Sequence, residues 1–183
     1  MPKSQLIALV AAALILAQAA KAGVEVQPSP IVHRRQQAMK DMAVAAKTIA
    51  AMFSGELVYD RARLREAASV FVVHGAELSA LFTGKAGTDS KADDRKIAAE
   101  RQEFDDIAAR LQELAVVFDR KTARAGDVIT PDMRMGSVPG GGSLLGARRL
   151  RAEVEPSAIP AEHLFHMMLE TCTTCHNKYR LSK

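Results

Sequence analysis

Apolar residues recur along this chain at intervals of three and four, the spacing that lines one face of an α-helix. Between 29 and 53 the apolar positions Met39, Met42, Ala46, Ile49 and Phe53 interleave with Lys40, Asp41 and Lys47. This predicts an amphipathic helix entered through Pro28 and Pro30 and stopped at Ser54 and Gly55. Leu64, Ala67, Ala68, Phe71, Leu78 and Leu81 form a second stripe, with Asp60 as the expected N-cap and Gly84 or Gly87 ending the helix. After a polar linker, Ile97, Phe104, Ile107, Leu111, Leu114 and Phe118 predict a third helix over about 94–125, closed by Gly126. A fourth, over 161–180, carries Leu164, Phe165 and Met168 on its apolar side. At about 1.5 Å per residue it spans about 30 Å, comparable with the first two. Four amphipathic helices and no convincing strand predict an all-α fold, an antiparallel four-helix bundle running up-down-up-down.

Residues 127–160 break this pattern. Pro131, Pro139, the run Gly140-Gly141-Gly142, Pro156 and Pro160 make a connection far longer than bundles usually need. One short helix is expected within it, over 144–154. The glycine run has neither a preceding strand nor the Gly-Lys-Ser/Thr ending of a phosphate loop, so it reads as a turn. Arg148, Arg149 and Arg151 read as a solvated helix face.

The chemistry is concentrated on the fourth helix. Cys172 and Cys175, the two cysteines of the chain, are followed at once by His176. On a helix these positions stand at i, i+3 and i+4, so both sulfurs and the imidazole share one face. Cys-x-x-Cys-His is the signature of covalent haem attachment: the thiols form thioethers and the imidazole binds iron as an axial ligand. The expected cofactor is one haem c. Three other readings stand beside it. A thioredoxin-like dithiol usually opens a helix after a strand, and no strand precedes this one. A structural zinc needs a fourth ligand, which His163 and His166, more than two turns earlier on the same helix, cannot supply. The third is a simple disulfide.

Composition narrows the setting. At 183 residues and 48% apolar content the chain suits one domain with a real core. Residues 1–22 read as a signal peptide: Lys3 is the basic start, an apolar stretch follows from Leu6 to Ala17, and Ala20-Lys21-Ala22 is an A-x-A-like cleavage site before Gly23. That stretch is too short for the roughly 20 residues of a spanning helix, so no membrane span is expected after its removal. The mature chain is then a single domain over 23–183, and a bacterial periplasm is the expected compartment. Lys3 and Lys21 leave with the signal and no acid does, which takes the formal charge from +4 to +2. With 4% aromatic residues and no Trp, nothing favours a nucleic-acid partner.

With its haem motif at the end of a fourth helix, the chain resembles the class II c-type cytochromes, the cytochrome c′ family and its low-spin relatives. Arg35-Gln36-Gln37-Ala38-Met39-Lys40 looks like the Arg-x-x-x-Met element of the family's first helix, and Leu81-Phe82 like the Leu-Phe that closes its second. Ile97 to Phe104 is similar to the Ile-Trp…Phe pattern of its third, with Ala98 where Trp is common. The likeness covers about 31–125 and 160–183; the connection at 127–160 has no counterpart in it. The resemblance implies thioethers at Cys172 and Cys175, proximal iron ligation by His176, and Met39 on the distal side. It places Arg35 near a haem propionate and Arg180 beside the proximal histidine. In low-spin members the methionine binds iron, whereas in high-spin members the corresponding residue only packs over an open site. From spacing alone, a methionine in an apolar stripe is core packing.

His74, on the second stripe, and Met133 and Met135, in the connection, are rival ligands; His33, His163 and His166 read as surface residues. The leading expectation is one-electron transfer to redox partner proteins, with no catalysis and with a homodimer through the first two helices implied by the resemblance. The alternative is a five-coordinate haem that binds small diatomic gases in a pocket of Met39, Met42 and Phe71. A third is a haem protein without a redox partner.

Overall fold

The computed structural model describes residues 29–84, 86–87, 89–135 and 158–181. The signal peptide and the helix expected over 144–154 lie outside them, as do the glycine run and the arginine cluster. Helix α1 spans Pro30–Ser54. The Ser29 hydroxyl accepts from the Val32 N–H, and Pro30 occupies the first turn, where its missing donor costs nothing. Gly55 ends the helix in the left-handed region at φ 83°, which favours a residue without Cβ. Helix α2 spans Arg61–Leu81, and the Asp60 carboxylate caps it by accepting from the Arg63 N–H.

The third predicted helix is two helices, α3 over Asp94–Ala99 and α4 over Arg101–Ala123. Glu100 separates them at φ −114° and ψ 39°. Nothing in the local sequence requires a break. Tertiary anchoring does: α3 is tied to the start of α1 and the end of the last helix, while α4 lies against α2, and Glu100 absorbs the mismatch. Helix α4 also stops at Ala123, short of Gly126. A 3₁₀ turn, Pro131–Met133, precedes α5, which spans Ala161–Tyr179.

Helix α1 packs on α2, α2 on α4 and α4 on α5, giving the antiparallel four-helix bundle with α3 as a short prelude to its third helix. No comparable seam joins α1 to α5. Where α2 crosses α4, Gly75 lets the helices approach so closely that a Cβ there would meet the Gln112 side chain at 2.5 Å. Among the described residues the β-structure is a single bridge, Ala92 to Arg180.

The predicted stripes supply the core. Ile49, Leu64, Phe71, Phe118, Leu164 and Met168 are essentially sealed from solvent, each contributing about 1.5–3 kcal/mol by burial. Phe165 stacks between Phe53 of α1 and Phe118 of α4, with ring centroids 6.4 and 6.2 Å away, and so closes the far pole of the bundle. Met133 is buried in the same cluster, and Arg134 beside it donates to the Phe53 carbonyl. The start of the long connection is thus part of the fold. A shallow recess lined by Met52, Phe53, Gly55, Ile129, Pro131 and Arg134 opens at this pole, remote from the cysteines.

The near pole is held by Arg35. Only 4% exposed, it donates from Nε to the Leu81 carbonyl (2.7 Å) and from Nη1 to Asp94 (2.8 Å), and it lies over the Phe82 ring at 4.3 Å. Breaking a buried ion pair from one side strands the other charge. Arg35→Leu is expected to lower stability to urea by about 3 kcal/mol, and adding Asp94→Asn to recover part of the loss. Denaturation midpoints check this; a single variant within about 0.5 kcal/mol of the parent would show that the pair is dispensable.

Candidate haem site

Cys172 and Cys175 are unbonded to each other and partly covered, and they face different surroundings. Cys172 packs on the large cluster that fills most of the bundle. Cys175 packs on a second, smaller cluster of Ile97, Phe104 and Tyr179 at the near pole. Phe82 touches both clusters, and the thiol pair sits at the boundary between them. Met39 borders the large cluster from α1, half buried, as Cys172 does from α5. The core is therefore divided at the level of the motif, and α1 and α5, which Phe53 and Phe165 join at the far pole, share no extended seam among the described residues.

Burial sets the charge state of the donors. It pushes both thiols up, Cys175 to about 11, since a thiolate in apolar surroundings loses its solvation. A redox dithiol needs the opposite shift. His176 lies on the exposed flank of α5, and its pKa is lowered, first by desolvation and then by the Arg180 guanidinium one turn on. A neutral imidazole is the form that binds a metal. Among the described residues no cluster of three or more His, Cys, Asp or Glu has the makings of a metal site, so the zinc reading gains no fourth ligand. Two protonated thiols, a neutral imidazole and a divided apolar core match what a flat apolar macrocycle with a central metal requires.

The last turn of α5, which carries His176, is fastened from outside. The Asp93 N–H donates to the Tyr179 carbonyl at 2.8 Å, and the Leu181 N–H to the Lys91 carbonyl at 2.9 Å. Lys178 forms ion pairs with Glu100 and Glu103; these hold the ammonium firmly protonated and the Glu100 carboxyl below its usual range. Sequence reasoning missed this clamp: Lys178 next to the motif was its only local sign. Phe104 closes the small cluster edge-on to Tyr179, with centroids 5.3 Å apart.

Arg35 is committed to protein partners: its Nη1 also donates to the Ser90 hydroxyl at 3.4 Å and its Nη2 to the Gly84 carbonyl at 3.3 Å, so one N–H group is left for a propionate. Arg180 is exposed beside His176. His74 pairs with Asp41 across the α1–α2 seam at 3.1 Å, away from the thiols. Met133 is enclosed at the far pole and Met135 is exposed near it, while His33, His163 and His166 are exposed.

Over residues 30–138 the sequence matches the family described as Cytochrome C′. It is 33% identical over 91 residues to the cytochrome c′ of Rhodopseudomonas palustris, a stretch covering 49% of this chain and 62% of that protein, so less than two thirds of that relative is spanned. Solved structures share the fold: cytochrome c′ from Shewanella frigidimarina, at TM-score 0.60 and 16% identity, with 86% of this chain and 98% of that one covered, and cytochrome c′ from Rhodopseudomonas palustris, at 0.57 and 23%, with 84% and 97% covered. The family match ends before Cys172, so it and the thiol-histidine motif are independent observations.

Raised thiol pKa values have a measurable consequence. At pH 8, iodoacetamide is expected to alkylate the haem-free folded chain at least about tenfold more slowly than the chain in denaturant, because the thiolate is the nucleophile. The rate should climb as pH approaches about 11. The linkage has the matching sign: stability contributed by the protonated thiols is present below the unfolded thiol range and lost as pH rises through the folded values. Rapid alkylation at neutral pH would instead mark an activated dithiol.

Proposed function

This chain belongs to the cytochrome c′ family, and on that premise we propose that it holds its one covalent c-type haem between α1 and α5 and cycles the iron between ferric and ferrous states. The thiol-histidine triad at the division of the core carries this reading. Cys172 and Cys175 would hold the porphyrin as thioethers, each S–H adding across one vinyl group without net oxidation. His176 would be the side chain that binds the iron. Bound there, the haem supplies a one-electron couple whose potential follows its axial ligands and burial. Arg35 and Arg180 are the cations placed to meet its acidic edge, Arg35 with its single remaining N–H.

The distal side falls to Met39, which the half-buried position on α1 supports. Two roles follow. As an iron ligand, Met39 would raise the potential and make the protein an electron shuttle, the leading expectation from sequence. As a cover, Met39 would only pack over the haem and leave the iron open to small diatomic gases. Membership of the cytochrome c′ family favours the cover, so the five-coordinate haem is the reading adopted here, with electron shuttling second. The proposed compartment is the periplasm, after removal of residues 1–22; among the described residues no helix is long and apolar enough to cross a membrane. No catalytic step is assigned to any residue.

A homodimer through α1 and α2 is part of the proposal. Val44 and Val73, 65% and 57% exposed, stand on the outer faces of these helices near the His74–Asp41 pair. Surface apolar side chains so placed suit a self-complementary contact.

Absorption spectra of the purified protein in both oxidation states, with a pyridine haemochrome to establish thioether attachment, decide the ligation. The expected result is a ferric spectrum without a methionine–iron charge-transfer band, and ferrous iron that binds carbon monoxide; Met39→Ala should leave the ligand-free spectrum unchanged. A charge-transfer band that disappears in Met39→Ala would make the protein six-coordinate and a shuttle. For assembly, sedimentation should give a dimer, and Val44→Glu with Val73→Glu should weaken it at least about tenfold.

A further inference from the structure

Two polar pairs bridge the α1–α2 seam about one helical turn apart. His74 of α2 meets Asp41 of α1, Nε2 to Oδ2, at 3.1 Å, and Glu77 of α2 meets Arg34 of α1 at 3.8 Å. His74 and Glu77 are three residues apart and share a face of α2. The other oxygen of Asp41 accepts from Gln37 Nε2 at 2.8 Å, which steadies the carboxylate and leaves Oδ2 to the imidazole. His74 Nδ1 is buried and has no partner among the described residues, so Nε2 is the nitrogen open to a ligand. The haem site makes no use of these groups.

Two ligand atoms held about 2.1 Å from a tetrahedral ion stand roughly 3.4 Å apart. His74 Nε2 and Asp41 Oδ2, at 3.1 Å, are already near that spacing. No third ligand meets them as the described side chains stand. Glu77 reaches them by a change of rotamer: its side chain is 51% exposed, and its pair with Arg34, itself 64% exposed, does little to hold it. We propose that His74, Asp41 and Glu77 form a binding site for a divalent cation of the zinc type, with water as the fourth ligand and the ion joining α1 to α2. One imidazole and two carboxylates suit zinc, whereas calcium and magnesium favour oxygen alone. Gln37 is the positioning residue, acting through Asp41. The site depends on neither the haem nor the dimer.

The haem-loaded protein, stripped with EDTA and desalted, is dialysed against about 10 µM zinc chloride, and bound zinc is measured per chain. One zinc is expected. His74→Gln, Asp41→Asn and Glu77→Gln should each weaken binding by more than about tenfold, and Gln37→Ala, which keeps all three ligands, by about tenfold. Arg34→Gln, which frees Glu77 from its cation, should tighten it. Replacing the exposed imidazoles of α5 together, His163→Gln with His166→Gln, should leave it unchanged. Zinc should also raise the urea midpoint of the parent but not that of His74→Gln, since the ion binds the joined helices and not the open chain. A parent that takes up no zinc, uptake that survives His74→Gln, or uptake lost with His163 and His166 would each overturn the site. Indifference to Glu77→Gln would remove its third ligand and overturn it as well.

Discussion

The arrangement of the near pole depends on one buried guanidinium. Arg35 reaches from α1 to the last carbonyl of α2 and to the first carboxylate of α3, so three elements distant in sequence are referred to a single charge. A charge this deeply covered is tolerable only with full partners, and the partners are therefore fixed in place. Met39 stands one helical turn after Arg35 on the same face of α1. Whatever holds Arg35 thus sets the depth and rotation at which Met39 meets the division in the core. The likeness of this stretch to an Arg-x-x-x-Met element acquires a mechanical sense: the arginine registers the helix and the methionine uses that register.

Much of this was legible in the sequence where the cause was local. Asp60 and Gly55 act within a few residues of themselves, and their roles as the start of α2 and the end of α1 match the sequence reading, whereas the Ser29 cap went unread beside Pro28 and Pro30 and α2 ends at Leu81, before Gly84. The stripes of α2 and α5 likewise name most of the residues that fill the core, since a 3.6-residue period has one buried face. The break at Glu100 was not legible, because 94–104 contains good helix formers throughout and what divides it comes from α1 and α5. Nor was the commitment of Arg35: its partner Asp94 lies 59 positions away, and no periodicity connects them. The motif on α5 was readable because all its chemistry lies within five residues. Its clamp, Lys178 to Glu100 and Glu103, depends on packing between helices.

The division of the apolar core ties these observations together. A bundle of four stripes would ordinarily close into one continuous core, and at the far pole it does, through Phe53, Phe118 and Phe165. At the near pole Ile97, Phe104 and Tyr179 gather separately. The two thiols are shared between these regions, one to each, so the motif is built into the packing from both sides.

That division also bears on the order of opening. Cooperative units of a protein open independently when few contacts link them. The large cluster packs α1, α2, α4 and α5 together with its own residues, whereas the small one involves little besides the start of α4, the segment around α3 and the last turn of α5. The far half thus holds most of the apolar packing, and Cys172 and Cys175 sit at its margin, next to a turn held chiefly by ion pairs and backbone bonds. The near pole is accordingly the unit expected to open first, while the far half keeps its amides protected longest.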